Sequence, residues 1–200
     1  MLARLADNQA GEAKRLLDAG IEGLLAANVA SAADARDLVE ATRYPPYGRR
    51  GAHYTVSRAA SWGAATAAQL AAAEQETLLI AMIESARGVE AIEEIAAVDG
   101  IDLLFVGPLD LSISLGEPGR YDSEVFQEAM SEVERRAAAV GVALGCAEFP
   151  GGDASTLFKR GYCFVTIGND AHLLRGAALE AVARAGDART GMLGGQCAIS

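Results

Sequence analysis

Lysine is almost missing from this chain. Of its seventeen basic residues only Lys14 and Lys159 are lysine, and the rest are arginine. Both fall in helical patterns, so neither is placed at a strand end where it could form a Schiff base with a carbonyl substrate. Cysteine is scarce too. Cys146, Cys163 and Cys197 fit no zinc spacing. The first two sit in apolar runs, where a free thiol behaves as a small hydrophobe, and they read as buried and reduced. No run of eighteen apolar residues is present, so no membrane span is expected. Met1 to Gly11 lacks the basic-then-apolar order of a secretory signal, and a cytoplasmic location is the expectation. Positive charge is in deficit. A formal net charge of −10 argues against a nucleic-acid partner, because phosphate binding wants a basic face.

What remains is ample for a core. The chain is 51% apolar and 22% charged over 200 residues, the balance of an ordinary globular domain. Short apolar runs alternate with helical patterns. The runs are Ile21–Val29, Leu78–Ile83, Ile101–Val106, Val142–Ala147 and Cys163–Ile167, with a possible stub at Met1–Ala3. Nearly continuous apolar runs of this length suit strands covered on both faces, as in parallel sheets. Between them, helices are expected over Ala10–Ala19, Ser31–Thr42, Val89–Val98, Ser123–Val140 and Asp170–Ala185. Ser31-Ala32-Ala33-Asp34 resembles a capping box with Asp in place of Glu. Repeated βα units predict a parallel sheet with right-handed crossovers.

Two parallel architectures compete. A doubly wound sheet usually carries G-x-G-x-x-G in its first βα turn, and none is present. A barrel gathers polar chemistry at the C-terminal ends of several strands. Asn28, Glu84, Gly107–Asp110, Glu148 and Asn169–Asp170 each follow a strand-like run. The expected fold class is therefore α/β, a (β/α)8 TIM-barrel type. With five to six strands it reads as N-terminally incomplete. Residues 1–185 are expected to form this partial barrel, and the Gly-rich residues 186–200 a flexible or partner-bound tail.

Glu84 and Asp110 lie one βα unit apart, so neighbouring strands would deliver both carboxylates to one rim. Such a pair suits a hard cation that keeps waters and takes substrate oxygens as further ligands. The same residues would equally serve as helix N-terminal caps, and spacing alone leaves both readings open. Gly107-Pro108-Leu109-Asp110-Leu111-Ser112 is a tight turn whose backbone N–H groups could hold a carboxylate.

Met82-Ile83-Glu84-Ser85 and Phe105–Ser112 closely resemble segments of the HpcH/HpaI aldolase/citrate lyase family, in its 4-hydroxy-2-oxoheptanedioate and 2-dehydro-3-deoxy-acid aldolase branch. Arg43-Tyr44-Pro45-Pro46, Leu16–Gly20 and Val165–Asp170 extend the resemblance, which runs from about Leu2 to Ala185. It implies a barrel, usually a homo-oligomer, that cleaves a 4-hydroxy-2-oxo acid to pyruvate and an aldehyde. It implies metal ligands at Glu84 and Asp110, the ion being Mg²⁺, Mn²⁺ or Co²⁺. Arg4 would be the rim arginine and Asp18 the helix aspartate, both serving catalysis. The turn Gly107, Pro108, Leu109 and Asp110 would bind the substrate carboxylate. The chain departs from the family pattern in three ways. About two leading βα units and a rim histidine are absent, and Ala27 replaces an expected proline. His53 and His172 lie elsewhere and read as surface or packing residues.

Retro-aldol cleavage leaves an enolate of pyruvate, whose negative oxygen must be held. With neither lysine placed at a strand end, a Lewis-acid metal aided by a cationic side chain is the expected solution. Two alternatives stand beside it. One is a non-catalytic chain or fragment of such an aldolase. The other is an acyl-CoA lyase of the same superfamily.

Overall fold

The structure is a computed structural model that describes residues 1–6 and 8–195. It divides into two compact units, Met1–Thr166 and Ile167–Ser200. The first unit holds six strands: β1 (Leu2–Arg4), β2 (Gly23–Ala26), β3 (Leu78–Ile83), β4 (Leu103–Val106), β5 (Ala143–Ala147) and β6 (Phe164–Thr166). All pair in parallel, in the order β1-β2-β3-β4-β5-β6. This order decides between the two architectures. A doubly wound sheet reverses its strand order at a switch point, whereas a barrel adds strands one after another. The unit is an open run of six consecutive strands of barrel type.

Helices separate the strands: α1 (Ala10–Asp18), α2 (Ala32–Thr42), α3 (Thr66–Gln75), α4 (Ala86–Glu90), α5 (Ile92–Ala96), α6 (Pro108–Ser114), α7 (Glu124–Val140) and α8 (Ala154–Lys159). The expected helix over Val89–Val98 is broken into α4 and α5 at Ala91, whose φ of −98° and ψ of 10° leave the helical region. Ser31 caps α2 as its sequence suggested. Its Oγ accepts from the Asp34 N–H and donates to the Asp34 carboxylate. α7 starts on the Ser123 hydroxyl and ends at Gly141, which adopts a left-handed φ of 72°. In the second unit, α9 (Asp170–Gly195) starts where the Asn169 side chain accepts from the His172 N–H. The helix backbone continues through most of the segment expected to form a tail, and residues 196–200 lie outside the described residues.

Side chains alternate across a strand with period two, and this sorts the core into two. Leu24, Ala26, Leu79, Ala81, Ile83, Leu104, Val106 and Cys146 point toward the helices, where Leu17, Leu38, Ile92, Phe126 and Met130 meet them. Ile80, Met82, Leu103 and Phe105 point the other way and pack with Leu25, Ala147 and Phe164. This second cluster is the barrel interior. Gly145 lies beneath it because nothing larger fits: a Cβ there would stand 2.8 Å from the Phe105 ring. The Phe105 and Phe164 rings close over that glycine with centroids 5.8 Å apart.

Cys146 is buried, and burial pushes its thiol up to about 12. Cys163, expected to be buried, is exposed instead. It precedes β6, which lies at one edge of the sheet among the described residues. Among the described residues no helix is long and apolar enough to cross a membrane.

Candidate active site

The period-two rule that puts Ile80 and Met82 in the interior also puts Glu84 there, one step past the end of β3. Gly107 follows Phe105 in the same way on β4. Arg4 ends β1 in register with Leu25, whose side chain packs on the interior cluster. All these residues therefore converge at the C-terminal ends of the strands. They line an open cleft of about 300 Å³ together with Met82, Phe105, Pro108, Leu109, Asp110 and Ala147. Met82 and Phe105 form its apolar floor.

Glu84 is the buried charge of the cleft, 8% exposed. Its Oε1 accepts a 2.7 Å hydrogen bond from the backbone N–H of Asn28. Its Oε2 is buried with no hydrogen-bond partner. Burial raises the Glu84 pKa above the ordinary carboxylate value, the Asn28 N–H opposes this, and the negative charge of Asp110 raises it further while Arg4 lowers it. Two carboxylates thus meet at one rim with a guanidinium close by.

Asp110 sits in the first turn of α6, where the helix dipole favours negative charge. Pro108 occupies the first turn ahead of it, lacking an N–H that the helix would not use. α6 is tied down from both sides. The Ser112 hydroxyl donates to the Leu109 carbonyl and accepts from the Gly119 N–H, and the Ser114 hydroxyl accepts from the Ala86 N–H at the head of α4. The Gly107 N–H donates to the Ile83 carbonyl at 3.1 Å and so belongs to the sheet.

Among the described residues no group of three or more His, Cys, Asp and Glu side chains is clustered to hold a metal. The cleft offers two carboxylates, and that donor set fits Mg²⁺ or Mn²⁺, which commonly take one or two carboxylates and keep several waters. The orphaned Oε2 of Glu84 is the observation that makes the fit.

The family model for HpcH/HpaI aldolase/citrate lyase matches residues 3–177. The chain belongs to the HpcH/HpaI aldolase/citrate lyase family. A hydroxypyruvate/pyruvate aldolase of Delftia acidovorans is 40% identical over 171 residues, covering 86% of this chain and 63% of that one. A 2-keto-3-deoxy-L-rhamnonate aldolase of Klebsiella pneumoniae is 39% identical over 160 residues, covering 80% of this chain and 60% of that one. The crystal structure of a family protein from Burkholderia cenocepacia superimposes with a TM-score of 0.85 at 34% identity, over 92% of this chain and 72% of that one. The chain spans about three fifths of the length of these curated relatives.

Of the residues singled out from the sequence of this HpcH/HpaI family member, Arg4, Glu84 and Gly107–Asp110 come together. Asp18 does not line their cleft. It ends α1, and helices in a βα unit run back toward the starts of the strands. Its carboxylate pairs with Lys14 one turn earlier and, at 2.7 Å, with Arg50. Arg50 is only 3% exposed and lies over the Tyr44 ring, 4.6 Å from its centroid. The Asp18 carbonyl also accepts from Ser57 and Ala59. These contacts fasten the loop after α2 to α1. Asp18→Ala should therefore destabilise the fold by about 3 kcal/mol, because it strands a buried guanidinium. Urea denaturation measures this, and a loss below about 1 kcal/mol would refute the anchoring role.

Sequence reasoning missed the Asn28 N–H. Asn28 stood out only as a polar residue after a strand. The signal available was its residue type, since asparagine tolerates left-handed backbone better than most. Glu148 and Asn169 stood out in the same way, and both serve as caps. Glu148 accepts from the Ala154 N–H at the head of α8.

Proposed function

We propose that this chain carries the cation and oxo-acid side of a divalent-metal-dependent aldolase site. The substrate class is a 4-hydroxy-2-oxo acid, and the products are pyruvate and an aldehyde. The observation that carries the reading is the buried, unpartnered Oε2 of Glu84 facing Asp110 in a cleft that also holds Arg4. The names of the relatives support the reaction class, two of them being aldolases acting on 2-oxo acids.

In this reading Glu84 and Asp110 hold the ion, as Mg²⁺, Mn²⁺ or Co²⁺. When bound, it supplies Lewis-acid stabilisation of negative charge on the substrate's keto oxygen. Arg4 adds a fixed positive charge beside that oxygen, stabilising it most as cleavage proceeds. The Leu109 and Asp110 N–H groups lie in the first turn of α6, where backbone donors have no acceptor within the helix. They receive the substrate carboxylate, and Gly107 and Pro108 shape the turn that presents them. Met82 and Phe105 keep water from the floor. Asp18 fastens the loop after α2 through Arg50 and Ser57. The working form is a homo-oligomer in the cytoplasm, with no nucleic-acid partner.

The test is pyruvate release from a 4-hydroxy-2-oxo acid by the whole chain with Mn²⁺, read through lactate dehydrogenase. Release that stops on adding a chelator and returns with excess Mn²⁺ is the expected result. Release that is indifferent to chelator would overturn the metal reading. Silence with Mn²⁺ present would favour a non-catalytic chain, and acetyl-CoA release from a malyl-CoA thioester would favour an acyl-CoA lyase.

A further inference from the structure

Asn28 leaves β2 with a φ of +48°, the left-handed region that side-chain-bearing residues seldom enter. Its neighbours show what this turn accomplishes. Ala26 is still paired with Ala81 in the sheet, and the Val29 N–H donates to the Met82 carbonyl at 3.0 Å. The chain is thus pinned to β3 on either side of Asn28. Between the pins, its N–H is turned out of the strand ladder and onto Glu84 Oε1 at 2.7 Å. With Oε1 held, the other oxygen is left buried and unpartnered toward the cleft.

We infer that Asn28 is a positioning residue for cation binding, acting through its left-handed backbone and not through its side chain. One N–H fixes the carboxylate rotamer, so that Glu84 presents Oε2 to the ion. This rests on the reading of Glu84 as a cation ligand. Partners that orient a metal ligand commonly govern affinity by tenfold or more. The requirement at position 28 is conformational. Glycine meets it without strain, asparagine with little, alanine with more, and valine least well because its branched Cβ crowds the carbonyl.

Binding of Mn²⁺ alone to the whole chain, by isothermal titration calorimetry, tests this across Asn28→Gly, Asn28→Ala and Asn28→Val. Asn28→Gly should keep the affinity within about twofold, while Asn28→Val should lose about tenfold or more and Asn28→Ala fall between. Circular dichroism identifies any variant that fails to fold, and the alanine variant then carries the comparison. An affinity unchanged in Asn28→Ala and Asn28→Val would overturn the inference, as would a loss in Asn28→Gly equal to theirs, since glycine keeps the backbone and removes only the side chain. If the unsubstituted chain itself takes up no Mn²⁺, the cation reading of Glu84 falls and this inference falls with it. Binding by the unsubstituted chain with no grading among the variants sinks the inference alone.

Discussion

Glu84→Gln should abolish the response to divalent cations and at the same time raise the melting temperature of the cation-free protein at neutral pH. Both effects come from one carboxylate. In the folded chain Glu84 is buried, with one oxygen unpartnered and Asp110 close by, so its charged form is disfavoured. Its pKa is raised above the ordinary value, first by burial. The folded state therefore holds this proton more tightly than the unfolded state does. The stability this contributes is fully present below the ordinary carboxylate pKa and is lost as pH rises through the raised one. At neutral pH the charge is a liability unless a cation compensates it. Glutamine keeps an acceptor for the Asn28 N–H and removes that charge.

Thermal melts with and without Mn²⁺, at neutral and acidic pH, check this. The wild-type chain should gain about 2.7 kcal/mol at a hundredfold excess of Mn²⁺ over its dissociation constant, and the glutamine variant nothing. The advantage of the cation-free variant should shrink as the pH drops below the carboxylate range. A glutamine variant that still melts higher with Mn²⁺ would remove Glu84 from the ligand set. One less stable than wild type without the ion would mean that the negative charge is compensated by Arg4 or by solvent.

How far these features were legible differs from residue to residue. The strands and their faces were, because Leu78–Ile83 and Leu103–Val106 are unbroken apolar runs and period two does the rest. That same rule places Glu84 and Gly107 on one face, so the meeting of β3 and β4 chemistry follows from two short runs and a sequential strand order. Asp18 shows where local pattern stops. Its partner Arg50 is thirty-two residues away, beyond a Pro-Pro loop, and nothing in the intervening sequence ties the two together. The alanine-rich sequence of α3 has almost no amphipathic contrast, so no periodicity marks it as a helix. Asn28 shows a different limit. Its residue type permits a left-handed turn, but where the freed N–H points depends on the neighbouring strand.

The sequence around Gly107 points to a turn, and the structural reason for a glycine there is narrower. With φ −95° and ψ 91° its backbone suits any residue, so conformational freedom does not explain it. Space does. A Cβ at this position would lie 2.7 Å from Glu84 Oε2 and 3.0 Å from Glu84 Cβ. The first contact is with the end of a side chain that could swing aside, but that end is the oxygen proposed to meet the cation. The second is with an atom fixed to β3. Gly107→Ala must therefore push the carboxylate away from Asp110 or part the two strand ends. The expected cost is about 1–3 kcal/mol of stability from overpacking. The larger effect falls on the site, where misplacing a group by about 1 Å can cost a hundredfold in rate. Mn²⁺ affinity and pyruvate release should collapse together in Gly107→Ala while the far-ultraviolet circular dichroism stays that of the parent. The carboxylate needs both the Asn28 N–H on one side and the bare Cα of Gly107 on the other. An alanine variant with undiminished Mn²⁺ affinity would show that Glu84 has room to move and that its observed rotamer is not what binds the ion.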